Sequence, residues 1–327
     1  HYRPALVLTS VIYGHAQRAV LDTARREQVP VASYQHGGWY GYCRFPMHRY
    51  NDTALVDHFG AYGPGVRDSL QQWHPLARAG SCAMEAIGSP VLDGLRSRPR
   101  PDRARLKDDL GLDPGRRTVM YVPTNFSGSF TYLPGTFPDT LYYRLQAQLM
   151  GLMERHPNIQ FLVKLPSSSW SPSPIPGQVA RRGLSNVKVL KRGSFAELLG
   201  VADSYIIDWP ATVLLQALTT DVPIVVLADR RILPMEKEAA ALLKRGVTFT
   251  EETTDFLAEV EELLEHNDPQ PASTGEARRE FLRLYGIAEA DGQSTQRALA
   301  WLGGIATNTM SRLKDEKYSS ATGNLEG

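Results

Sequence analysis

PALVLTS (Pro4–Ser10), HAQRAVLDTARREQ (His15–Gln28) and VPVASYQ (Val29–Gln35) decide the fold. The first and third are short apolar runs that read as strands, and between them Ala19, Val20 and Ala24 recur at helical spacing. Strand, helix and strand within about thirty residues form a βαβ unit, which requires a parallel sheet. ALVDHFGAYGPG (Ala54–Gly65) predicts a further strand and loop, with a helix beginning near Val66. EAIGSPVLDGL (Glu85–Leu95) predicts one more short strand and turn.

RSRPRPDRAR (Arg96–Arg105) breaks the pattern, because prolines alternate with arginines and no apolar period survives. That composition predicts a linker whose charge is solvated, followed by a short helix, RARLKDDLGL. A second α/β series follows. RRTVMYVPTN (Arg116–Asn125), IQFLVKLP (Ile159–Pro166), VKVL, DSYIIDW, VPIVVLAD (Val222–Asp229) and VTFT read as strands. TLYYRLQAQLMGLMERH (Thr140–His156), SFAELLGVA, PATVLLQALTT and a stretch near Glu236–Arg245 read as helices, with more helix to about Leu302. SSSWSPSPIPGQ (Ser167–Gln178) is expected to be a mobile loop; the tail after Thr307 has no apolar face, and SSATGNLEG (Ser319–Gly327) is expected to be disordered. The expected domains are 1–95, with four strands and incomplete; a linker, 96–114; a second α/β domain, 115–305; and a tail, 306–327.

With 327 residues, 42% hydrophobic and 22% charged, the chain has the size and composition of a soluble two-domain protein. A net charge of +1 argues against a general polyanion binder, so no nucleic-acid partner is expected and a phosphate must be held by local geometry. Cys43 and Cys82 belong to no metal or disulfide pattern, which predicts a reducing cytoplasm and no bound metal. No apolar run reaches the roughly 20 residues of a membrane span. The chain starts at His1 without a methionine, and residues upstream of it are expected to be missing.

In open parallel sheets, ligands collect at the carboxyl ends of strands. Gln35-His36-Gly37-Gly38, followed by Trp39, Tyr40 and Tyr42, stands at one such end. An imidazole there can exchange protons near neutral pH, glycines admit a close ligand or a positive φ, and aromatics suit a sugar ring. The plainer reading is a tight turn with a packed Trp39. Asp208-Trp209-Pro210-Ala211-Thr212 opens a helix, where amides and a hydroxyl can bind an anion and Gln216 can reach a ribose. The plainer reading there is an N-cap. Thr124, Asn125 and Ser127 follow one strand and Lys164 the next, a set that could hold phosphate without metal; Lys191 and Ser194 are candidate base or ribose contacts. A phosphate-binding GxxxxGK[ST] loop, a dinucleotide GxGxxG, HExxH, a metal-binding DxD and GxSxG are all absent. Asp108-Asp109 is expected to be solvated.

The QHGG loop, "IGSPVLDGL", "LGLDPGRRTVMYVPTN", "SFAELLGVADSYIIDWPATVLLQAL" and "DGQSTQRALAWL" occur in an order that resembles the two-domain GT-B glycosyltransferases of bacterial surface-carbohydrate synthesis. The chain is most similar to QHGG-containing transferases, and more distantly resembles capsular Kdo transferases and teichoic-acid glycerophosphotransferases, over roughly Pro4 to Leu302. The resemblance implies two Rossmann-like parallel-sheet domains facing a cleft. It implies a CMP- or UDP-sugar donor on the C-terminal domain, held by Asp208–Thr212 and Gln216, and a glycan or lipid-linked glycan acceptor against Gln35–Gly38. The implied setting is capsule or lipopolysaccharide synthesis at the cytoplasmic membrane face, in a membrane-associated assembly. His36 and Asp208 are the implied catalytic groups. Two departures weaken phosphotransfer and ribose recognition: Leu165 stands where the glycerophosphotransferases commonly have His, and Gln216 where they have an acid. A CDP-polyol phosphotransferase of the same fold and an inactive nucleotide- or glycan-binding module remain the alternatives.

Overall fold

The computed structural model describes residues 4–12, 14–45, 47–72, 82–99, 101–128, 138–167, 171–266 and 273–322. They divide into two compact units: His1–Gly41, Pro46–Asp93 and Arg283–Gly327 form the first; Tyr42–Phe45 and Gly94–Leu282 form the second.

The first unit is built on strands β1 (Val7–Thr9), β2 (Val31–Tyr34), β3 (His58–Ala61) and β4 (Ala83–Ala86), parallel and in that order. Helices α1 (His15–Arg26), α2 (Pro64–Gln72) and α3 (Pro90–Ser97) follow β1, β3 and β4, and a π-helical turn, Arg49–Thr53, lies between β2 and β3. Successive β2 residues face opposite sides, as the pleat requires. Val31 joins Ile12, Leu21, Ala24, Val29 and Val56 on one face, and Ala32 joins Ile87, Trp301 and Ile305 on the other. A β-carbon on Gly60 would meet Ile87 Cδ1 at 2.4 Å and Trp301 Cζ3 at 3.1 Å, so β3 carries glycine where Trp301 lies on the sheet.

The second unit begins with α4 (Arg103–Asp109), then β5 (Thr118–Val122), α5 (Asp139–Arg155), β6 (Gln160–Lys164), α6 (Ile175–Arg182), β7 (Val187–Leu190), α7 (Phe195–Leu198) and β8 (Ser204–Ile207). It continues with α8 (Thr212–Ala217), β9 (Ile224–Leu227), α9 (Lys237–Gly246), β10 (Thr248–Thr250), α10 (Thr253–Glu265) and α11 (Ser273–Leu282). The parallel strands run β10-β9-β8-β5-β6-β7. Relabelled from β5, this is the doubly wound order 3-2-1-4-5-6, whose direction reverses between β5 and β8. Every residue of β5, β6, β8 and β9 is buried, as expected of strands covered on both faces. Tyr42–Phe45 joins this unit through an antiparallel bridge, Cys43 to Met235, with Arg44 N donating to Pro234 O (2.8 Å) and Glu236 N to Tyr42 O (2.9 Å).

Three expectations change. The expected linker belongs to the second unit: Lys107 is buried, donates to Arg116 O at 2.7 Å and lies 3.9 Å from Asp203, which Arg103 also pairs. Part of its charge is therefore tied to an acid rather than solvated, whereas Asp108 and Asp109 are exposed. The end of the expected C-terminal domain returns to the first unit. A second π-helical turn, Arg283–Ile287, leads to α12 (Ser294–Thr322), where Ser294 N donates to Asp93 Oδ2 and Arg297 Nε to Ile87 O. Burial of Trp301 and Ile305 on the first sheet is the driving force. The expected tail is helical to Thr322, past Thr307; residues 323–327 lie outside the described residues. In the expected Pro/Ser loop, Ile175–Gln178 form the first turn of α6, and residues 168–170 lie outside the described residues. No helix among the described residues is long and apolar enough to cross a membrane.

Candidate active sites on the two units

At the end of β2, Gln35 is fully buried and its amide is used at both ends. Nε2 donates to Gly37 O (2.7 Å) and Oε1 accepts from Tyr62 N (2.8 Å), lacing the loop to the end of β3. The amide therefore shapes the turn, in place of the expected role facing a sugar. Gly37 and Gly38 are buried with φ outside the left-handed region; Trp39 (φ 66°) and Gly41 (φ 75°) take the positive φ instead. A β-carbon on Gly41 would lie 2.5 Å from Val66 Cα, so only glycine fits there. Trp39 is half-buried, edge-on to His48 at 5.2 Å.

His36 is exposed, and its Nδ1 lies 2.6 Å from the Tyr40 hydroxyl. The same hydroxyl is 3.0 Å from Asp52 Oδ2, in the π-helical turn after β2. Tyr40 and Asp52 are fully buried, and the Tyr40 ring stacks on His48 at 3.6 Å and 7°. Although the residue is exposed, partial desolvation of its ring by the surrounding loop pulls His36 below its ordinary value, so the imidazole is neutral near pH 7 and able to accept a proton. Burial lifts Asp52 to about 7, with the Tyr40 hydrogen bond opposing. His48 is held down at about 3 by burial and by the adjacent His36, and stays neutral.

On the second unit, Asp208 ends β8 and Thr124 follows β5, one on each side of the strand-order reversal where a doubly wound sheet opens its crevice. Asp208 is fully buried; Oδ2 accepts from Tyr121 (2.5 Å), Oδ1 from Thr124 N (2.9 Å), and the Tyr142 hydroxyl also bonds the carboxylate. Burial lifts it to about 6 against these three donors. A carboxylate so enclosed tethers the Thr124 loop to β8, in place of the expected catalytic role. Beyond it, Pro210 O accepts from Tyr42 Oη (2.8 Å), Ala211 N donates to Trp209 O (2.8 Å), and Ala211 precedes the six-residue α8, which carries half-buried Thr212 and Gln216.

The remaining expected contacts differ in availability. Ser127 N and Gly128 N both donate to Asp139 (2.8 Å each), which shapes the loop after Thr124 and Asn125. Asn125 is half-buried, and its Oδ1 has no partner among the described residues. Lys164, at the end of β6 beside β5, is buried and donates to Leu165 O at 2.5 Å; burial lowers it and Glu197 opposes the shift. Ser194 accepts from Glu197 N at 3.3 Å while Glu197 Oε2 accepts from Ser194 N at 2.9 Å, a capping box that engages the hydroxyl expected at a ribose. Lys191 is exposed at the end of β7, the edge strand. The structure thus brings Thr124 and Asp208 together and sets Lys191 and Ser194 two strands from β5. The sequence reading misses Asp52, His48, Tyr121 and Tyr142, and it offers Tyr42 to a sugar although its hydroxyl bonds Pro210 O. Of these, only the polar run HRYND (His48–Asp52), placed between apolar segments, carries a signal. No group of three or more His, Cys, Asp or Glu residues among those described could hold a metal ion.

The model of the LIC12162 family transferases matches residues 1–253. The lipid-A-disaccharide synthase of Geobacter sulfurreducens is 32% identical over 153 residues, 47% of this chain and 36% of that protein. The chain therefore spans about a third of that relative's length. The wall teichoic acid polymerase TagF soaked with CDPG superposes with a TM-score of 0.52 at 16% identity, covering 88% of this chain and 70% of that one. A glycosyltransferase from Rickettsia africae gives 0.52 at 8% (93% and 77%), and a UDP-N-acetylglucosamine 2-epimerase 0.51 at 15% (92% and 72%). At these identities the likeness is one of fold: two parallel-sheet α/β units of the GT-B type.

Proposed function

We propose a reaction from one premise: this chain belongs to the LIC12162 family of transferases. The reaction is metal-independent glycosyl transfer, from a nucleotide-activated sugar (a CMP- or UDP-sugar) to a glycan or lipid-linked glycan of the bacterial surface. The observation that carries it is His36, an exposed, neutral imidazole at the carboxyl end of a parallel strand with one ring nitrogen braced from within. Nε2, the nitrogen Tyr40 does not hold, takes the proton of the acceptor hydroxyl as its oxygen bonds to the anomeric carbon. The bond from that carbon to the donor phosphate breaks, and the nucleotide leaves with the electron pair.

The nucleotide belongs at the β5/β8 reversal, against Thr124, Asn125 and the Pro210–Thr212 turn, with Gln216 near the ribose. Because Pro210 has no N–H and the Ala211 amide is given to Trp209 O, the Thr212 amide and Lys164 are the donors for the leaving phosphate's charge. With six residues, α8 adds little dipole, so hydrogen bonds carry this effect more than field does. The name of the Geobacter relative supports a lipid-linked acceptor, and hence work at the cytoplasmic face of a membrane within an assembly complex.

Thermal-shift titration with CMP, UDP and CDP compounds, followed by donor turnover in EDTA, tests this reading. Stabilisation by a CMP- or UDP-sugar and turnover without metal are expected. Stabilisation by CDP-polyols alone would favour the second reading, polyol-phosphate transfer, which the TagF likeness supports and Leu165 opposes. Binding without turnover would leave a nucleotide-binding module.

A further inference from the structure

Reading His36 as the base leaves Tyr40 and Asp52 to be explained. The Tyr40 hydroxyl has one hydrogen, and His36 Nδ1 lies 2.6 Å from it and Asp52 Oδ2 3.0 Å. Either the hydroxyl donates to an ionised Asp52 and accepts from a hydrogen on Nδ1, or it donates to a bare Nδ1 and Asp52 brings a proton of its own. The protonation of Asp52 and the tautomer of His36 are thereby coupled through one oxygen.

We propose that Tyr40 and Asp52 are positioning residues of a proton relay that keeps the hydrogen of His36 on Nδ1 and so leaves the lone pair on Nε2. The proposal rests on the reading of His36 as a base and adds what prepares it. Asp52 is fully buried, Oδ1 finds no donor among the described residues, and Tyr40 donates to Oδ2. Such a carboxylate draws the tyrosine hydrogen toward itself, because an ionised acceptor forms the stronger bond. The tyrosine oxygen then accepts from Nδ1. When Nε2 takes up the acceptor's proton, the imidazolium faces a hydroxyl dipole backed by a negative charge.

His48 supports the arrangement. Its ring lies 3.6 Å from that of Tyr40 and nearly parallel to it, which holds the tyrosine ring in place, and it stays neutral through the pH range in which Asp52 titrates. The titratable side chains of β2 and β3, against which the Arg49–Thr53 turn packs, are Tyr34 and His58. Tyr34 donates to Gly88 O at 2.5 Å, away from the pair. Burial brings Asp52 close to neutrality, so the favoured tautomer is expected to be complete only above about pH 7.

The test is two-bond 1H–15N correlation of protein labelled with 15N-histidine, at pH 8.5, with the His36 signal assigned by its loss in His36→Gln. Wild type is expected to carry the hydrogen on Nδ1. In Asp52→Asn the amide donates to the tyrosine oxygen, the hydroxyl turns to Nδ1, and the hydrogen is expected on Nε2. Turnover should fall about 10²–10⁴-fold with donor KM unchanged, and Asp52→Glu should restore part of it. Should Asp52→Asn fail to fold, Tyr40→Phe gives the same reading, with mixed tautomers in place of one. Wild type with its hydrogen on Nε2, or the Nδ1 tautomer unchanged in both variants, overturns the relay. The tautomer exchange in a protein without transferase activity upholds the relay and removes the catalytic reading.

Discussion

Asp52 in the first unit and Asp208 in the second are both fully buried, and the two are served differently. Asp208 accepts from Tyr121, Tyr142 and the Thr124 amide, so both oxygens are engaged and the carboxylate ties two strand ends together. Asp52 has Tyr40 on one oxygen, no donor among the described residues on the second, and an exposed imidazole on the far side of the tyrosine. A buried charge with its full set of donors is a fastener, whereas one with a single donor leading to the surface is placed for chemistry.

The sharpest break between the two would come from His36→Ala. Catalysis should fall about 10²–10⁴-fold, with nucleotide affinity and melting temperature unchanged; isothermal titration showing an equal loss of affinity would remove His36 as the base. Next in size, Asp208→Ala leaves two hydroxyls and an amide facing an apolar gap. It should cost about 3 kcal/mol in urea unfolding, and a variant that unfolds like wild type would deny the fastening role.

A pH series follows. Burial makes both carboxyls hold protons more tightly in the folded state, to about 7 for Asp52 and about 6 for Asp208 from 3.8. Through these two groups the native state binds more protons than the unfolded one across that window, while His48, held down at about 3, works in the opposite sense. The contribution of the two carboxyls to stability should decline as pH rises from about 4 through 6 and 7, then level off. Asp52→Asn should flatten the upper part of that decline and leave the lower part to Asp208; melting curves from pH 4 to 8.5 decide it. Smallest is Ser194→Ala, which should lose about 1 kcal/mol of capping and no nucleotide affinity. Weaker nucleotide binding in that variant would return the hydroxyl to the ribose.

Apolar runs mark β5, β6, β8 and β9, because strands covered on both faces are written as near-continuous apolar runs, whereas β3 (HFGA) and β4 (AMEA) carry no such run. The parallel sense follows from the helices between them. What stays hidden depends on partners far away in the chain. Gln35 shows an amide after a strand, and only Tyr62 N and Gly37 O show that it is committed inward. Asp208 beside proline has the form of a cap, but its partners lie 84 and 87 residues earlier. Asp52 sits in a π-helical turn, which has no composition signal of its own. The assignment of Ser294–Thr322 to the first unit rests on Trp301 meeting Gly60, a match that periodicity does not encode.

That last packing bears on how the polypeptide matures. Translation runs from one terminus to the other, so a nascent β1–β4 sheet leaves the ribosome with one face lacking the cover that Trp301 and Ile305 provide. It waits uncovered while nearly two hundred further residues (94–282) are made and fold. The part begun first is finished last, so a stalled or clipped chain would display a greasy β-surface, the kind of surface that chaperones shield.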